Sequence, residues 1–293
     1  MAVTTNPVDD DLALQPRAFS LWTAIRRNPT IAFGGVLLFL LVMVAIIGPS
    51  FVGDPLKMAP VNRLRPPSER WWFGTDQFGR DIFTRTVYGA RVSLIVGLTV
   101  GAISGLLGLA LGLLCGYFKR IDGIVMRIMD GIMAIPSILL AIALITLTRP
   151  SLAVVIVAIV IPEVPRIVRV VRSVVLAVRA QPYVESAIAG GTRNVKLLIR
   201  HVLPNTLAPL IVQTTFVCAS AMLIESGLSF LGAGVPPEVP SWGNIIAQGR
   251  NHFHIAPWSI LIPGGFLALT VLAVNLLGDG LRDRLDPRLA RRL

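Results

Sequence analysis

The chain has little of what most chemistry needs. Charged residues make up 15% of its 293 positions, and there are only two cysteines and three histidines. So little charge, with 54% hydrophobic residues and a mean hydropathy of +0.73, excludes a soluble globular chain. Cys115 and Cys218 lie inside apolar runs, which excludes a disulfide framework and leaves them as small packing residues. His252 and His254 form an isolated His-x-His with no acidic or thiol partner nearby, so they read as solvated loop residues and no metal site is expected. The only lysines, Lys57, Lys119 and Lys196, follow Leu56, Phe118 and Val195. The Gly-Lys-Ser/Thr of a phosphate-binding loop is therefore absent, and the chain is expected to bind no nucleotide by that motif. No nucleophile and base stand at a workable spacing, so no catalytic residue is assigned.

What is present is long apolar sequence. Ile31–Ile47 carries no charge and extends to Val52, and Ser93–Cys115 is likewise uncharged. Shorter stretches lie at Ile132–Leu147, Leu152–Ile161, Leu207–Ile224 and Trp258–Leu277. About 20 apolar residues cross a bilayer, so the expectation is an all-α integral membrane protein with six transmembrane helices. The boundaries follow: a tail at 1–30, a first span at 31–52, an external loop at 53–86, a five-helix domain at 87–281 and a second tail at 282–293. The first apolar run is longer than the core of a signal peptide and no small-x-small site follows it, so it reads as a retained span.

The net charge of +11 is explained by placement. Arg17, Arg26 and Arg27 precede the first span, and Arg282, Arg284, Arg288, Arg291 and Arg292 crowd the end, which puts both termini in the cytoplasm by the positive-inside bias. No nucleic-acid partner is needed. Six basic residues in the 54–86 loop fall outside in this topology, offset in part by Asp54, Glu69, Asp76 and Asp81.

The spans differ in character. Gly97, Gly101 and Gly105 repeat every four residues, as do Gly108, Gly112 and Gly116, which makes close-approach surfaces for another helix or another subunit. In the fifth span Thr214, Cys218, Glu225 and Ser229 share an arc of about 60°. Glu225 has two readings: it lines a translocation path, or it bonds to loop groups near the outer interface. Arg127 and Asp130 are spaced to pair on one helix face. Arg166, Arg169 and Arg172 read as interfacial, snorkelling residues. Pro162 and Pro165 bracket Glu163 and are expected to kink or break the fourth span; this is the one feature favouring an ion-coupled secondary transporter.

The segment from Tyr183 to Asn205 is a charged, amphipathic stretch between two spans. Pro182 suits the first turn of a short helix to Ala189, and Gly190-Gly191 breaks it. Thr192 would cap a second helix, with Val195, Leu198, Ile199 and Val202 as its apolar stripe and Arg193, Lys196 and Arg200 on another face. Pro204 would end it. Such an elbow either rests on lipid headgroups or docks on a protein.

Its pattern resembles the EAA loop of ABC importer permeases: Glu-Ala-Ala, three residues, Gly, nine residues, Ile-x-Leu-Pro. Here Glu185-Ser186-Ala187 is followed by Gly191 and then His201-Val202-Leu203-Pro204, with Ser186 and His201 as the departures. Phe73–Leu94, Leu228–Ile246 and Asn275–Arg288 are similar to further signatures of the dipeptide, oligopeptide and nickel permeases, in particular the C-type subunit. The resemblance implies a type I ABC importer permease fold in the bacterial inner membrane. It implies a coupling loop at 179–204, with Tyr183, Glu185, Ser186, Ala187, Gly190, Gly191, His201, Leu203 and Pro204 at the joint. It further implies a homologous permease as heterodimer partner, two cytoplasmic ATPase subunits that use ATP and Mg, and an extracytoplasmic solute-binding protein.

Overall fold

The computed structural model describes residues 29–149 and 151–285; the tail arginines at 17, 26, 27, 288, 291 and 292 lie outside them. The regular elements among the described residues are all helices, with a single β-bridge between Thr75 and Asp81 and no strand. Helix α1, Pro29–Ile47, runs into a 3-10 turn at Gly48–Ser50. Helix α2, Ile82–Tyr117, begins well before its apolar run because the Asp81 carboxylate caps it, accepting from the amides of Phe83 and Thr84. At 36 residues it is about 54 Å long, far more than the roughly 30 Å hydrocarbon layer.

Helices α3, Lys119–Met133, and α4, Ser137–Thr146, meet at an 87° bend. Pro136 is the cause: it has no amide to continue the ladder and holds Ile135 out of the helix. The third expected span is therefore a broken pair. Helix α5, Leu152–Arg179, starts at the Ser151 cap and passes through Pro162 and Pro165 without a break. The short helices α6, Pro182–Ala189, and α7, Asn194–Leu197, lead through a π-turn at Leu198–Val202 into α8, Leu203–Phe230. Helix α9, Trp242–Gly249, and helix α10, Trp258–Leu285, complete the chain, so α10 runs on beyond the expected domain end at 281.

Four helical stretches are long and apolar enough to cross a membrane, and the bent pair makes five. Helix α5 is long enough, but Glu163, Arg166 and Arg169 fall within its first eighteen residues. This is a multi-pass membrane protein.

Helix α2 organises the bundle through its two glycine stripes, and both are used inside this chain. A Cβ on Gly97 would come within 2.8 Å of Met222, and one on Gly105 within 3.0 Å of the Thr214 hydroxyl, so α8 lies against this stripe and runs antiparallel. Gly108 faces Ile167, Gly112 faces Val171 and Gly116 faces Val175, which sets α5 parallel to α2. The apolar core fills the space between these helices, with Val100, Ile159, Val168, Val217 and Ala221 fully or almost fully buried. Without a hydrophobic driving force in lipid, such close backbone approach supplies the packing energy.

The registers define two ends. At one end the C-termini of α2 and α5 meet the start of α8, and Gly280 of α10 lies against Ile31 of α1. At the other, Trp242 of α9 donates from its indole to the Thr86 carbonyl at 3.0 Å and from its backbone to Ser93, both on α2. Here α8 ends at Gly232, whose φ of +83° closes the helix.

Candidate functional site

The elbow between α5 and α8 is built by one backbone requirement. Gly191 has φ of +75°, its amide bonds to the Ile188 carbonyl, and the Thr192 amide reaches back to Ala187. This is a Schellman closure of α6, which an L side chain at 191 would strain. Gly190 has an ordinary φ of −73° and is not required by conformation. Thr192 is thus part of the turn and not a cap; Arg193 precedes α7, with no side-chain cap bond.

Pro204 does not end the second arm. The π-turn passes the chain into α8, with the Leu203 amide bonded to the Leu198 carbonyl, and Pro204 sits in the first turn of α8, where its missing amide costs nothing. The wider turn also rotates the expected stripe apart. Leu197 and Val202 are buried, Leu198 is half-buried, and Val195 and Ile199 are 68% and 60% exposed. Tyr183, Glu185, Ser186 and Ile188 are exposed on the first arm, where Glu185 in the first turn favours the helix dipole.

The elbow is tied down at both arms. Arg179 donates to the Gly116 and Tyr117 carbonyls at 3.2 and 2.8 Å and lies over the Tyr117 ring. The Tyr117 hydroxyl donates to Asn194 at 2.6 Å. His201 packs beside the Tyr183 ring, and Asn205 donates to the His201 carbonyl at 2.7 Å and to the Tyr183 hydroxyl at 3.4 Å. His201, a departure from the apolar pattern, therefore faces the opposite arm.

Beside the elbow, Arg172 makes a two-pronged ion pair with Asp122, and Arg169 pairs with Asp130 at 2.6 Å. These bonds cross from α5 to α3. Asp130 thus pairs across helices rather than with Arg127, and two members of the arginine stripe, Arg169 and Arg172, form an interhelix clamp. Glu163 is buried on α5 and pairs with Arg166 at 3.5 Å, in an unbroken helix.

The four residues placed on one arc of α8 are divided by the structure. Thr214 and Cys218 pack on the Gly97–Gly105 stripe. Glu225 is 0% exposed and accepts from the Ser229 and Ser241 hydroxyls at 2.9 and 2.8 Å. Only Ser229 borders the cavity of about 470 Å³ that opens between the ends of α4 and α8 and helix α9.

Residues 108–291 match the family model described as the binding-protein-dependent transport system inner membrane component. The chain belongs to this family of permeases. A probable peptide ABC transporter permease protein of Sinorhizobium fredii is 53% identical, with both chains covered completely. A dipeptide transport system permease protein of Alkalihalophilus pseudofirmus is 42% identical over 97% of this chain and 93% of its own. An oligopeptide transport system permease protein of Bacillus subtilis is 35% identical over 95% and 93%. Among solved structures, a chain of a methionine ABC transporter in inward-facing conformation matches with a TM-score of 0.53 at 21% identity, covering 66% of this chain and 94% of that one, a likeness of fold. The protein is a permease subunit of an ABC importer.

One constellation of the permease escaped the sequence reading. Arg80 and Arg85, counted there as outer-loop charge, are buried around Asp76, at 2.6 and 2.7 Å. Gln248 of α9 accepts from both guanidiniums, at 2.5 and 2.9 Å. Arg85 is 0% exposed, and its Nε and Nη2 have no partner among the described residues. The only signal was an arginine in the first turn of a helix that turns apolar.

Proposed function

We propose that this permease forms half of a solute pathway for peptides and that the α6–α7 elbow is the joint through which separate ATPase subunits drive it. In this reading six helices cross the bacterial inner membrane, with α5 as the sixth. The elbow and both termini lie in the cytoplasm. The basic residues Lys119, Arg120, Arg193, Lys196, Arg200, Arg282 and Arg284 gather at the elbow end, which supports that orientation. A homologous permease completes the pathway, an extracytoplasmic binding protein delivers solute, and ATP and Mg are held by the ATPases alone.

The observation that carries this is the elbow itself. Two short helices are held rigidly by a positive-φ glycine and anchored to α2 by Arg179 and Tyr117, yet present Tyr183, Ile188, Val195 and Ile199 unburied. A stiff joint with an apolar outer face suits a groove in a partner and transmits its movement to α5 and α8. The names of the relatives support peptides as the solute class.

The test is Gly191→Val in the assembled transporter. Strain of about 1–2 kcal/mol at one exposed turn leaves insertion and assembly intact, while uptake falls severalfold relative to ATP hydrolysis. Normal assembly with an unchanged ratio of uptake to hydrolysis refutes the proposal.

A further inference from the structure

The end of the bundle remote from the elbow holds a cavity whose chemistry has a definite sign. Its wall combines apolar surface from Ile145, Phe230 and Pro237 with the polar groups of Ser229, Gln248 and Arg250. Among the described residues no carboxylate lines it, and Arg250 is its one charged residue. Glu225, the nearest acid in sequence to Ser229, is buried behind that wall and takes its hydrogen bonds from Ser229 and Ser241.

Arg250 is held ready. Its Nη1 donates to the Phe230 carbonyl at 2.9 Å while the guanidinium lies over the Phe230 ring at 5.5 Å. That fixes the fork and leaves Nε and Nη2, the pair whose spacing matches the two oxygens of a carboxylate. Behind Gln248 stand Arg80 and Arg85 with Asp76 as their only carboxylate. Among the described residues, two buried donors of Arg85 are without partners. Asp76, the buried Glu225 and the exposed Glu238 that follows Pro237 stand in the same region as these arginines, so no excess of positive charge is built here and Arg250 alone presents charge in the cavity wall.

We propose that this cavity receives a peptide solute by its free carboxylate, with Arg250 as the bidentate partner and Gln248 screening the buried arginine pair. The inference rests on the reading of this chain as half of a peptide pathway, and it names the chemical handle by which that pathway takes its solute. A cavity of about 470 Å³ is within the roughly 300–1,000 Å³ usual for small-molecule sites. The apolar lining accommodates side chains without selecting among them.

The experiment is saturation-transfer NMR on the assembled transporter in nanodiscs, without binding protein, using tri-alanine and tri-alanine amide as probes. The wild type is expected to bind the free acid about tenfold more tightly than the amide, the worth of one charge-assisted contact at a part-exposed site. Arg250→Gln removes that preference. Gln248→Glu removes it too, by placing a carboxylate in the wall, and its new charge faces Arg80 and Arg85, so the fold is kept. No binding of the free acid at millimolar concentration, equal binding of acid and amide, or variants that keep the wild-type preference would each overturn the proposal. So would Arg250→Gln weakening co-sedimentation of the binding protein while leaving tri-alanine binding intact, since Arg250 would then belong to a protein contact. The elbow is untouched by these variants, and their ratio of uptake to ATP hydrolysis reports separately on the coupling proposal.

Discussion

The two ends of helix α2 handle charge in opposite ways. At the elbow end the ion pairs lie at the surface: Arg172 with Asp122 and Arg169 with Asp130, all partly solvated. The far end instead holds a buried cluster, in which Asp76 alone serves Arg80 and Arg85, and close by Glu225 is held by two serine hydroxyls. Surface pairs exchange partners at little cost, whereas buried charge fixes one arrangement because any other leaves it unpaired. One end is thus suited to being moved against a partner, and the other to holding α2, α8 and α9 in a single geometry.

The sharpest way to break this contrast is Asp76→Ala. It leaves two buried guanidiniums without a counter-ion and is expected to cost about 3–5 kcal/mol, read as a lower thermal midpoint of the purified permease. A change within error would mean that the far end is not held by its charges. The matching experiment at the elbow end is smaller. A double-mutant cycle on Asp122→Ala and Arg172→Ala should give a coupling of about 0–1 kcal/mol in stability. A coupling as large as the Asp76 effect would erase the distinction between the ends.

Much of this was legible in the sequence because it depends on local pattern. Apolar length marked the four helices long and apolar enough to cross a membrane and the bent pair, the four-residue glycine spacing gave the tight faces of α2, and Gly191 marked the elbow. What was not legible depends on which residues meet across the fold. The partners of the two glycine stripes are α8 and α5, and nothing in the stripes themselves distinguishes a neighbouring helix from another subunit. Pro136, Pro162, Pro165 and Pro204 each lack the same amide, yet the helix bends only at the first. Their outcomes differ because α5 is packed along α2, while the π-turn carries the chain past Pro204. The Asp76–Arg80–Arg85–Gln248 cluster joins residues more than 160 positions apart, beyond any spacing rule.

The central claim, that the exposed face of the elbow is the docking surface for an ATPase, is tested most directly by site-directed cross-linking. Val195→Cys and Ile199→Cys carry the probe on the exposed face, and Leu197→Cys on the buried face one turn position away, in the assembled transporter. The native Cys115 and Cys218 are both buried and serve as background. The account predicts cross-links to the ATPase from positions 195 and 199, sensitive to nucleotide, and none from 197. Absence of ATPase cross-links from 195 and 199 in a transporter that still takes up peptide would contradict it.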